Sequence, residues 1–367
     1  MTVEPPARAG VPWRALLVLL ALAAVLIVSL LPSPYAIERP GPVFDTLGRT
    51  GQKGSGTPLI EVPGRRTYPT SGSLDVLTVT VVGTPTAGPS WLDLAAAWLD
   101  PTQSVVPLEA VYPAGESVRE SNRQGAREMT ESQQSAIAAA LRRLGYPVEG
   151  SVRVTQVAPG TAAVGKLRVG DVLRSYAGRP VVDACGLQDL VVGHGAAPAA
   201  VALSRSGTAS TVRVTPRLTD VPGGRRPLLG VVTAGSYVFP FTVQLRLSDV
   251  TGPSAGMMFA LGIVDKLTPG PLTGGRRVAG TGTICGDGSV GAIGGIVQKM
   301  AAARRAGATV FLAPDSNCTG VVGHVPAGLD VYAVKSLSQA LTVLTTLDSG
   351  SSRARLPRCP APVGSVG

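Results

Sequence analysis

From Ala15 to Leu31 the chain runs ALLVLLALAAVLIVSLL without a single charge. As a helix these 17 residues span about 25 Å, and Trp13 stands where an interfacial aromatic would sit. The pattern predicts an N-terminal transmembrane helix. Arg8 and Arg14 precede it, opposed only by Glu4, which places the N-terminus in the cytoplasm and the body outside it, on a single-pass cell-membrane protein. A cleaved signal peptide is the competing reading. The run is longer than a usual signal core, however, and no A-x-A site follows it, the chain going directly into LPSPY.

Further along, the pattern changes period. Leu74–Val82 is strand material closed by Gly83, and Ser90–Leu99 predicts a helix capped by Ser90 and ended before Pro101. Residues 120–144 are rich in helix formers and stop at Gly145. A compact β pattern follows: Val152–Val157, Leu167–Leu173, Gly178–Val182, a short helix over Ala184–Val192, then Ala200–Arg205 and Ser210–Pro216. From Leu228 strands and helices alternate to about Leu347. The fold class expected is α+β multidomain: a stub and anchor (1–36), a β-rich N-terminal segment with helix (37–144), a small β domain (145–217), an α/β domain (228–347) and a flexible tail (348–367).

Composition narrows the function more than the fold. With 367 residues, two or three folded units are expected, and a hydrophobic share of 44% against 15% charged excludes wholesale disorder. The 46 Gly and 31 Pro predict many turns but lack a collagen period. Net charge is +10, yet the arginines are scattered in ones and twos, without aromatic interleaving or any zinc-finger, homeodomain or RNA-binding signature. Nucleic acid is therefore not an expected partner. Two histidines (His194, His324), no C-x-x-C and no H-E-x-x-H argue against a metal, and no cofactor is expected. In an oxidising space Cys185, Cys285, Cys318 and Cys359 can pair in three ways, and the sequence leaves the choice open. Gly160–Lys166 fits G-x-x-x-x-G-K, but Leu167 stands where a P-loop needs a hydroxyl, so ATP binding fails there.

Two features carry chemistry. Thr242–Leu247 reads as a strand leading into Gly252-Pro253-Ser254-Ala255-Gly256 and then an apolar helix. Ser254 thus lies at a helix N-terminus, where unpaired amides can hold an oxyanion and flanking glycines admit a substrate backbone. By itself the motif is equally a capping serine. The second feature is Lys299, on a helix after Gly294-Gly295. Ile296, Ala302, Ala303 and Ala306 share its face, whereas Gln298, Arg304 and Arg305 fall on the other side. A buried lysine loses hydration, and a fall from about 10.4 toward neutrality, about 4 kcal/mol, makes a neutral amine able to take a serine proton. A lysine at the edge of the stripe that snorkels to water is the plainer alternative.

Two resemblances organise these readings. Residues 145–217 resemble a bacterial protease-associated PDZ domain, through Val154–Gly160, Leu167-Arg-Val-Gly-Asp-Val-Leu173 and Tyr176–Val181. That implies a peptide added as an extra strand, with its carboxylate held near Leu144-Gly145-Tyr146. A small domain that binds nothing is the alternative. Residues from about Leu228 to Leu344 resemble the proteolytic domain of the Lon-type serine proteases. The carrying motifs are GPSAG at 252–256, Val278–Thr283, Gly288–Met300, Ala302–Gly307 and Pro314–Asn317, with 45 residues between Ser254 and Lys299.

The Lon resemblance implies Ser254 as nucleophile, Lys299 as general base and Thr281 orienting the lysine, with Gly252, Pro253, Ala255 and Gly256 supporting. Thr283 departs from the family's usual Glu, and Val250-Thr251 from an acidic residue. The whole arrangement resembles membrane-anchored bacterial Lon-like proteases with a PDZ domain, opening on Tyr35–Pro42. It implies an ATP-independent, membrane-tethered endopeptidase acting on unfolded or exposed protein segments, with a ring of identical subunits implied by the same resemblance. Two alternatives stay open: an α/β-hydrolase using His324 with Asp287 or Asp315, and an anchored PDZ adaptor with an inactive protease domain.

Overall fold

The computed structural model describes residues 13–50, 56–221, 224–247, 250–350 and 352–360. Glu4, Arg8 and the tail residues 361–367 lie outside the described residues. The chain divides into two compact units, one of residues up to 40 together with 79–121, the other of 41–78 and 122–367.

In the smaller unit, helix α1 (Trp13–Leu30) is followed by strand β1 (Tyr35–Asp45), whose first residues belong here. Strand β2 (Ser73–Val82) ends in this unit and leads to helix α2 (Trp91–Trp98) and strand β3 (Ser104–Pro107). β1 and β3 pair antiparallel from Tyr35↔Pro107 to Glu38↔Ser104. Ser90 caps α2 as expected, accepting from the Asp93 amide while Asp93 reaches back to the Ser90 amide. Ile37, Leu94 and Ala97 form the core of this unit.

The expected transmembrane helix is corrected here. No helix among the described residues is long and apolar enough to cross a membrane. α1 carries Arg14 in its first turn and ends at Leu30, ahead of Pro32 and Pro34, which oppose a helical backbone. The uncharged part, Ala15–Leu30, extends only about 24 Å at 1.5 Å per residue, against a hydrocarbon core of about 30 Å.

In the larger unit, the helix expected over 120–144 is α3 (Val118–Arg143), most of which belongs here. Next come β4 (Glu149–Val157), β5 (Val172–Tyr176), α4 (Ala184–His194), β6 (Ala199–Arg205), β7 (Thr208–Val214) and β8 (Val231–Val238). They make an antiparallel sheet in the order β8-β4-β5-β6-β7, so β8 is an edge. Its core, from Val152 through Tyr176 and Leu203 to Leu229, is separate from the others. Gly160–Lys166 lies in successive turns between β4 and β5 rather than between a strand and a helix, so a phosphate cradle does not form.

The rest is an α/β layer: α5 (Gly256–Leu267), β9 (Arg277–Gly280), α6 (Ile296–Arg305), β10 (Val310–Pro314), β11 (Asp330–Val334) and α7 (Leu337–Asp348). β11, β10, β9 and β2 run parallel side by side. β10 alternates between two cores, Val310 and Leu312 facing one that includes α5 and α7, Phe311 and Ala313 the other with α6. A sheet covered on both faces explains why its strands read as unbroken apolar runs. Beyond α7, residues 352–360 are pinned by the Cys318–Cys359 disulfide, the Ala333 amide donating to the Pro357 carbonyl (3.0 Å) and an Arg358–Asp330 ion pair (3.0 Å).

Candidate active site

The carboxyl end of β9 is where the chemistry-bearing side chains meet. Thr281, the next residue, donates its hydroxyl to the Ser254 carbonyl (3.0 Å), and the Gly282 amide donates to the same oxygen (2.9 Å). The Gly282 carbonyl in turn accepts from the Met257 amide at 3.1 Å. The 252–257 turn is therefore stitched to the strand end from both sides. α5 follows it, and every residue from Gly256 to Asp265 is buried, as its all-round apolar sequence requires.

Helix α3 holds the turn from its other side. Ser132 donates to the Pro253 carbonyl (2.8 Å), and the Gly252 amide donates to the Gly125 carbonyl (2.9 Å). Gly252 bends the chain at φ +87°, which a side chain resists. At Gly125 a Cβ would lie 2.8 Å from Thr251 Cβ, so only glycine admits this approach. Neither Gly125 nor Ser132 stood out in the sequence. The available signal was a polar Ser132 one turn from the buried Met129 and Ala136 on an otherwise apolar face.

Lys299 arrives from α6. Gly295 enters that helix in the left-handed conformation (φ +66°), and the Asn317 side chain clamps the preceding Ile293, accepting from its amide (3.0 Å) and donating to its carbonyl (2.8 Å). Lys299 is 4% exposed, and its Nζ donates to Ser254 Oγ at 2.9 Å and to Thr281 Oγ1 at 3.3 Å. Arg304 and Arg305 face solvent as expected, but Gln298 is buried: the covered stripe of α6 is wider than a single face.

At the N-terminus of α5, Ala255 offers no side-chain cap, and among the described residues the Ser254 and Ala255 amides have no acceptor. Free donors at the positive end of a helix stand beside the Ser254 hydroxyl.

Other candidates fall elsewhere. His324 is exposed on the loop after Val321, its Nδ1 facing its own neighbour's carbonyl at Val322 (3.2 Å), and the structure brings Lys299 rather than His324 to Ser254. Leu144, Gly145 and Tyr146 close α3: the Tyr146 amide donates to the Leu141 carbonyl (2.9 Å), and its ring packs edge-on against Phe241. They do not line the groove between α4 and the β8 edge, a cavity of about 350 Å³ walled by Leu187, Gln188, Val191, Leu229 and Val231.

The cysteines pair Cys185–Cys285 and Cys318–Cys359. The first ties the opening turn of α4 to the segment three residues past Gly282. Thr283, at the departure from the Lon pattern, lies in a two-residue strand that pairs with Val290–Gly291.

Residues 249–346 match the Lon protease (S16) C-terminal proteolytic domain. The chain is 37% identical to the Lon protease of Escherichia coli K12 over 95 residues, covering 25% of this chain and 12% of that protein. Against Lon protease 2 of Bacillus subtilis 168 it is 34% identical over 92 residues, 25% and 16% of the two chains. Only the C-terminal quarter is matched, and the chain spans 12% to 16% of the length of these relatives. Among solved structures, the PDZ domain of the SdrC-like protein of Listeria innocua aligns over 23% of this chain and 92% of its own, at 15% identity and a TM-score of 0.21.

Proposed function

We propose that the chain is a serine endopeptidase in which Ser254 is the nucleophile and Lys299 the general base. The observation that carries the reading is the 2.9 Å contact between Lys299 Nζ and Ser254 Oγ on a lysine that is 4% exposed. Burial favours the neutral form of an amine, and a neutral amine can accept the hydroxyl proton as Oγ attacks a peptide carbonyl. The tetrahedral oxygen is received by the Ser254 and Ala255 amides, and Lys299 returns the proton to the leaving amine. Water then hydrolyses the acyl-enzyme with Lys299 again taking the proton. Thr281 positions the amine from β9.

The substrates are unfolded or exposed peptide segments. A peptide strand beside the β8 edge, in the α4 groove, recruits them in the manner of a PDZ domain. Hydrolysis needs no ATP, consistent with the turn conformation of Gly160–Lys166. The body works in an oxidising, extracytoplasmic compartment, a reading that the two disulfides support. A homo-oligomer is proposed on the Lon likeness.

The test is cleavage of an unfolded protein without nucleotide, by wild type, Ser254→Ala and Lys299→Ala. Loss in both variants, with a wild-type rate that rises as an amine deprotonates, is expected. Cleavage that survives Lys299→Ala but not His324→Ala would overturn the assignment.

A further inference from the structure

A second cavity of about 510 Å³ adjoins the turn that carries Ser254. It is bounded by α3, the start of α4, β8 and the strand Thr283–Ile284, and Pro253 forms part of its wall. Among the described residues three carboxylates line it, Glu128, Glu131 and Asp183, and no lysine or arginine does. In a chain of net charge +10 this concentration of negative charge runs against the whole.

Asp183 is the informative member. It is 1% exposed and caps α4 with Oδ1, which accepts from the Gly186 amide at 2.6 Å. Its Oδ2 is buried and has no hydrogen-bond partner among the described residues. Burial pushes this carboxyl above its ordinary range, the Gly186 amide holds it down, the Asp287 charge raises it, and the Arg142 charge and the Asp287 amide, outside hydrogen-bonding geometry to Oδ2, lower it. Asp189 lies within the field of Asp287 as well. Arg142 does not answer Oδ2: its guanidinium donates to the carbonyls of Gly286 (2.9 Å) and Val148 (3.1 Å) and rests over the Tyr237 ring. Asp183 is part of the cavity lining, and a buried carboxylate oxygen without a hydrogen-bond partner is costly, a cost that a charge-assisted donor from outside relieves.

We propose that this cavity is a specificity subsite that takes a lysine or arginine side chain of the substrate close to the scissile bond. The assignment rests on the protease reading of Ser254. Ala184, Pro253 and Ile284 offer apolar wall for the aliphatic stem, and the cationic head meets Asp183, with Glu128 and Glu131 around it. Glu128 is already tied to Gln124 (3.0 Å), which leaves Asp183 and Glu131 as the residues to probe.

The experiment uses the full chain with Ser254→Ala, so that binding is read without turnover. Fluorescein-labelled peptides carry one residue, Arg, norleucine or Glu, walked along an otherwise neutral sequence, and anisotropy gives Kd. At one position the Arg peptide is expected to bind about ten-fold tighter than the norleucine peptide. Adding Glu131→Gln or Asp183→Asn should reduce that ratio to about two-fold. Asparagine still caps a helix and Glu131 is exposed, so folding survives in at least one variant. Equal binding of Arg and norleucine peptides at every position, or a preference untouched by both variants, overturns the subsite. Wild-type cleavage of the same peptides separates the two claims. Cleavage without Arg preference sinks the subsite alone; selective binding without cleavage keeps the subsite and sinks the protease.

Discussion

Lys299 shares a ten-residue helix with Arg304 and Arg305, yet it alone of the three is buried and meets Ser254. That placement separates charge from basicity. A Lys299→Arg variant keeps the charge but presents a guanidinium that does not deprotonate in proteins. It should therefore lose activity as fully as Lys299→Ala, by about 10² to 10⁴ in kcat. Adding Ser254→Ala should cost nothing further, because the pair acts as one unit. Single-turnover kinetics on a peptide ester and amide check both points. Ser254 and Lys299 each stood out through a glycine-flanked local pattern and Thr281 only through the Lon resemblance; the structure brings the three side chains within hydrogen-bonding distance. Ser132 and Gly125 were not legible: each acts on a turn more than 120 positions away in sequence, where no local pattern records the contact.

At the scale of the element, α3 and α5 show how a helix can be tuned against its own stability. Gly125 weakens α3 by about 0.5–1 kcal/mol relative to alanine. Gly125→Ala should thus leave Tm unchanged or raised while kcat falls, since the new Cβ displaces Thr251 and with it the Ser254 turn. Thermal unfolding and kcat, measured on the same preparation, decide it. In α5, Asp265 is 0% exposed, with one oxygen accepting from the Leu272 amide and the other without a partner among the described residues. Burial raises its carboxyl above the ordinary value of 3.8. The folded state then holds a proton that the unfolded state has released, so this group takes stability away as pH rises through that interval. Asp265→Asn should raise Tm at pH 7, and the gain should vanish as pH falls below the ordinary carboxylate value, read by calorimetry from pH 3.5 to 7.5. Helix existence was legible at both places from composition. The extent of α1 was not, because the apolar run continues to Leu31 while the prolines beyond it set where the backbone stops being helical.

For the molecule as a whole, the two disulfides have unequal expected consequences. Cys185–Cys285 closes a separation of 100 residues and Cys318–Cys359 one of 41. Removal of either should cost about 2–5 kcal/mol of stability. Only Cys185→Ser/Cys285→Ser should also depress kcat/KM at temperatures where the protein stays folded, since Cys285 follows closely on the residues that pin the Ser254 carbonyl. Chemical denaturation and steady-state kinetics on the two double variants test this. The sequence left the pairing open among three choices, for pairing depends on where two separately patterned domains are brought together, and no period in the chain encodes that. The Cys185–Cys285 bond also fixes a length. It fastens the first turn of the helix that walls the β8 groove to the segment behind the nucleophile, so a chain end held in that groove is measured off against Ser254 by a rigid span. On the protease reading, a substrate held by one end offers Ser254 only the segments within a bounded contour distance of that end, and the cavity beside Pro253 chooses among them.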